Sequence, residues 1–141
     1  MKKFVFELQD ILDIRKFEQQ QAESELAKAL AEENRIQSEL NALAAKKVSV
    51  SKSIKGSSNF SDIANASNFF DFVRTRSESL LEELTKAKLV SDEKRNLLKK
   101  AMQKTDALQQ LKDSQYKEYK AEVKRTEMKE INDIVTSRFN I

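Results

Sequence analysis

The sequence predicts an all-α fold, a two-helix antiparallel coiled-coil hairpin whose second helix is the longer. Three observations carry that expectation. The chain of 141 residues holds one glycine and no proline, so little in it can turn the backbone. Strong helix formers dominate, and 35% of residues are charged. Apolar residues recur at alternating spacings of three and four over long distances, the signature of a seam between helices.

The first helix, expected over residues 5–55, shows the seam in two series. One runs Leu12, Gln19, Leu26, Glu33, Leu40, Lys47 and Ile54; the other runs Leu8, Arg15, Ala22, Ala29, Ile36, Leu43 and Val50. Arg15, Gln19, Glu33 and Lys47 interrupt it, and the small Ala22 and Ala29 allow close approach of a partner helix. The stretch KFVFELQDILDIR precedes the regular part. Phe4, Phe6 and Leu8 alternate like a strand, but a lone strand has no sheet to join, so the stretch reads as an extended tip that leads into the helix.

The turn is expected at 56–60. Serines and β-branched residues weaken helix propensity from Val48 to Ile54, Gly56 can take the left-handed conformation that ends a helix, and Ser57, Ser58, Asn59 and Ser61 suit a helix start. The second helix, expected over 61–138, carries a seam through Phe70, Val73, Ser77, Leu80, Leu84, Ala87, Ser91, Lys94, Leu98, Ala101, Thr105 and Leu108. Beyond it the apolar residues Leu111, Tyr119, Val123, Ile131 and Ile134 suggest a slip in register. Helices of about 50 and 75 residues joined by one short turn would form a rod, roughly 75 Å and 110 Å along its two arms. Both termini would lie at one end, where the second helix overhangs; all of it forms a single domain, 1–141.

Composition narrows function. The chain has no cysteine and no histidine, which removes disulfides, thiol nucleophiles and the commonest general base. Carboxylate pairs such as Glu82 with Glu83, or Asp92 with Glu93, diverge by about 100° on a helix and lack the enclosure that shifts a pKa. No glycine-rich phosphate loop is present. A catalytic role, a metal and a cofactor are therefore not expected. Lys2 and Lys3 are followed by Glu7 and Asp10, which does not make a signal peptide, and no apolar run is long enough to span a membrane. A cytoplasmic protein without direct membrane insertion is expected.

Net charge is +3, with a basic excess over 86–130. There Lys94, Arg95, Lys99, Lys100 and Lys104 cluster, and Tyr116, Lys117, Tyr119, Lys120, Lys124 and Arg125 interleave rings with cations as a nucleic-acid surface can. Asp106, Asp113, Glu118 and Glu122 lie among them and would repel phosphates, so no nucleic-acid partner is expected. The phenylalanines instead point to protein contacts: Phe4, Phe6 and Phe17 at the terminal end, and Phe60, Phe69, Phe70 and Phe72 after the turn. Packing that closes the turn and an exposed docking patch are both open readings of the second group.

Two stretches, KFVFELQDILDIRKFEQQQAESELAKAL and YKEYKAEVKRTEMKEINDIVTSRF, resemble the opening and closing helices of the FliJ family of flagellar export proteins. The related type III secretion stalk proteins are similar, and a generic coiled-coil adaptor or prefoldin-like chaperone is the alternative. A prefoldin-like subunit would need a β-hairpin that the short turn cannot hold. The FliJ resemblance implies a non-enzymatic central-stalk partner of the hexameric flagellar export ATPase. It also implies contact with the cytoplasmic domain of the export gate, escort of export chaperones, and a place at the inner membrane of the flagellar base. By the same resemblance, the ATPase would be met by Lys3, Phe4, Phe6, Leu8, Leu12 and Arg15 with Arg125, Met128, Ile131 and Ile134. The gate would be met by Leu43, Val50, Phe69 and Phe72. Where some members carry tyrosines before the turn, this chain has Lys46 and Val50.

Overall fold

A computed structural model describes residues 2–139. They form two helices, α1 (Gln9–Ile54) and α2 (Phe60–Phe139), with no strand among the described residues. α1 begins four residues later than the heptads suggested, because the first backbone turn is closed by the Gln9 amide on the Phe6 carbonyl at 3.1 Å. Residues 2–6 precede the helix and belong to no regular element.

The connection is built from the residues that the sequence marks for it. Gly56 has φ +81, a conformation that a side chain strains, and the Ser57 amide bonds the Ile54 carbonyl at 3.0 Å. Asn59 caps α2, its side-chain oxygen accepting from the Ser61 amide at 3.0 Å, while Asp62 adds a carboxylate to the positive end of the helix.

Two compact units make up the chain. The turn unit, Ala22–Leu98, has a core of Ile36, Leu80, Leu84 and Ala87, against which Leu40 and Leu43 pack. Glu39 bonds Arg76 and Glu33 bonds Ser91, so numbers fall on one helix as they rise on the other, and the helices run antiparallel. Ser91 is fully buried, and its hydroxyl donates to the Glu33 carboxylate; this partner is what makes a polar seam position tolerable. At the edge, both Nε and Nη2 of Arg76 donate to one Glu39 oxygen, at 3.1 and 2.8 Å. Arg35 reaches Glu32 at 2.7 Å, Glu39 at 3.4 Å and Glu83 at 3.9 Å. The hydrogen bond from Arg35 holds the Glu32 carboxyl below its usual range, and reciprocally raises Arg35.

The terminal unit joins residues up to Gln21 with those from Lys99 on. Here too the helices are antiparallel, since the segment before α1 meets α2 at Tyr119 and the Arg15 carbonyl meets Thr105. The Thr105 hydroxyl lies 3.2 Å from the Arg15 carbonyl and 3.0 Å from that of Ala101.

The seam in α2 departs from the sequence reading at one place. Leu111 is exposed, and Lys112 and Gln115 take the inward positions, so heptad spacing continues from Leu108 to Tyr119. Long polar side chains cover a seam with their methylene stems, which a search for apolar residues does not see. The irregularity comes later, where Tyr119, Val123 and Thr126 are half-buried at spacings of four and three. In α1, Lys47 occupies a seam position by number but is exposed.

Candidate protein-binding sites

The residues expected at the terminal end fall into three groups in the terminal unit. Phe6 and Leu12 are core, 5% and 0% exposed, with Leu8 half-buried beside them. Phe4 is an anchor. Its ring meets Tyr116 edge-on with centroids 5.2 Å apart and Tyr119 at 5.6 Å, and the two tyrosines stack at 6.3 Å. Lys120 places its Nζ 4.9 Å from the Tyr116 ring centre, and the Tyr119 hydroxyl donates to the Lys2 carbonyl at 2.7 Å. The segment before α1 is thereby strapped across α2. Lys3 is exposed, and Arg15 is half-buried with its guanidinium 3.0 Å from Glu18.

The third group is free of the packing. Every described residue from Glu127 on is exposed, so α2 continues beyond its companion for about 13 residues, roughly 20 Å. Met128, Ile131 and Ile134 are each more than half exposed, and Arg125 pairs with Glu122 of its own helix, at 3.5 Å. Val135 and Phe139 are exposed on the same stretch and were missed in the sequence reading; the spacing Met128–Ile131–Val135 was the available signal.

Near the turn, in the other unit, the four expected residues also separate. Leu43 packs against the core cluster, and Val50 is half-buried. Val50 and Phe69 line one groove of about 450 Å³ with Ile54, Asp62 and Ala66. Phe69 carries the Lys46 ammonium 5.6 Å from its ring centre, a cation capping an aromatic ring. Phe72 is 57% exposed, its centroid 6.5 Å from that of Phe69. Phe69 and Phe70 are both half-buried, one on each flank of Val73, so packing that closes the turn and an exposed aromatic coexist here.

Among the described residues no group of three or more potential ligands could hold a metal. No helix is long and apolar enough to cross a membrane. What the two regions offer is apolar surface for protein contact.

Comparison with family models finds a match to one described as "Flagellar FliJ protein", over residues 4–140. Neither the curated proteins nor the solved structures include a match.

Proposed function

The chain belongs to the flagellar FliJ family, a component of the flagellar export apparatus, and from that premise we propose that it is a non-enzymatic stalk-like partner of the hexameric export ATPase. The observation that carries this reading is the bare stretch of α2 beyond Thr126, which presents Met128, Ile131 and Ile134 to solvent. Isolated apolar residues on a surface need no explanation, but several on one unaccompanied helix suit a protein partner. Lys3 and Arg125, exposed nearby in the same unit, complete the contact. Phe4, Phe6, Leu8, Leu12 and Arg15 support it from behind by holding the segment and α1 against α2.

The turn unit would serve the export gate through Phe72 and the rim of the groove at Val50 and Phe69, with Leu43 as packing beneath. Escort of export chaperones, and a cytoplasmic position at the inner membrane of the flagellar base, belong to the same reading. The test is stimulation of the purified export ATPase by the full chain. A Met128→Ser, Ile131→Ser variant of unchanged helicity should lose the stimulation; full retention would remove the basis of the assignment.

A further inference from the structure

The bare stretch of α2 has two unlike faces. Counting about 100° per residue, Met128, Ile131 and Val135 fall within about 60° of one another. The inward residues Tyr119, Val123 and Thr126 point roughly 150° away. The stripe is therefore not a continuation of the hairpin seam. On the seam side, the positions beyond Thr126 hold Glu130, Asp133 and Ser137, which suit water, and Ile134 flanks them about 55° from the seam direction. The continuous stripe of Met128, Ile131 and Val135 lies on the back.

Charge divides in the same way. Lys120, Lys124 and Arg138 lie within about 55° of the stripe's centre. Glu122, Glu130 and Asp133 lie on the far side, and Glu127 is the one carboxylate near the stripe's border. Lys124 and Arg138 make no ion pair within the described residues, although arginines elsewhere on the chain pair along their own helix. A narrow apolar stripe at three–four spacing is the recognition pattern of a second helix, where a membrane surface would call for a wider apolar arc.

We infer that the back face of α2, from Lys124 to Arg138, docks an amphipathic helix whose own stripe is bordered by carboxylates. This rests on the reading above, that the export ATPase is the partner of this stretch, and adds which face is used and what chemistry meets it. The contact is about 20 Å long, and the seam-side acids of α2 face away from it.

The experiment measures the affinity of the full chain for the purified export ATPase by calorimetry at two salt concentrations. Three proteins of matched helicity are compared: the unaltered chain, Lys124→Glu with Arg138→Glu, and Lys86→Glu with Lys88→Glu as a control of equal net charge. Reversal on the back face should weaken binding about tenfold, more at low salt, while the control binds as the unaltered chain does. Equal affinity of all three overturns the inference and leaves the ATPase reading intact. Absence of binding by the unaltered chain overturns both. Charge dependence seen only with vesicles of phosphatidylcholine and phosphatidylglycerol, and not with the ATPase, would make the face a lipid contact and also overturn the inference.

Discussion

The hydroxyl of Tyr119 donates a 2.7 Å hydrogen bond to the carbonyl of Lys2, across 117 residues of sequence. It ties down a segment that has neither a helix nor a sheet to satisfy it. Beside it the Phe4 ring rests on Tyr116 and Tyr119, and two residues on Phe6 enters the core.

This strap can be followed optically. The chain has two tyrosines and no tryptophan, so tyrosine emission and near-ultraviolet dichroism near 280 nm report on the two residues under Phe4. Phe4→Ala should change both signals and leave far-ultraviolet helicity in place. Tyr119→Phe should cost about 1 kcal/mol or less and speed amide exchange in residues 3–6. Phe6→Ala removes a buried ring and should cost about 3 kcal/mol in the terminal unit, read as a lowered unfolding midpoint.

The seam pair of half-buried Glu33 and buried Ser91 predicts an asymmetry. Ser91→Ala leaves the Glu33 carboxylate without its partner in the seam and should lower stability by about 1–3 kcal/mol. Glu33→Leu together with Ser91→Ala replaces both polar groups by apolar ones and should recover that loss or exceed it. Denaturant unfolding of the two variants tests this; a double variant less stable than the single one would refute it.

Glu39 and Arg76 should couple weakly. Both side chains are 36% exposed, so solvent screens the pair, and a double-mutant cycle with Glu39→Gln and Arg76→Gln should give about 0.5 kcal/mol, shrinking as salt is added.

Stability should be flat between about pH 5.5 and 7, because there is no histidine to titrate there. Glu32 has its ionised form favoured in the folded protein, so its contribution is complete above the ordinary glutamate value of 4.5 and is lost as pH falls through the lower folded value. Acidification below about 4.5 should therefore lower the thermal midpoint slightly through Glu32, and Glu32→Gln should remove that part of the decline.

Much of this fold was legible in the sequence because a coiled coil writes its contacts as a period. Leu12, Ile36, Leu80, Leu84 and Ala87 are buried where the heptads put them, and Gly56 and Asn59 form the turn. Leu111 lies outside the seam because register, not apolar character, sets the inward positions, and it brings Lys112 and Gln115 inward. The terminal aromatics were legible as a cluster, but not their partners. Phe4 meets Tyr116 and Tyr119 from the segment before α1, and no helical period predicts a contact between a helix and a non-helical strap. Nor could the period separate buried from accessible residues in the terminal unit, where Phe6 and Leu12 are core while Met128 and Ile131 are exposed.

The bare stretch of α2 in the terminal unit is the part proposed to meet the export ATPase. Photo-crosslinking tests it most directly, with a benzophenone amino acid placed at Ile131 or, for comparison, at Leu97, which is similarly exposed on the same helix. Irradiated with the assembled ATPase, the full chain should form an adduct from position 131 and little or none from position 97. No adduct from 131, or equal adducts from both, would mean that the bare stretch does not make this contact.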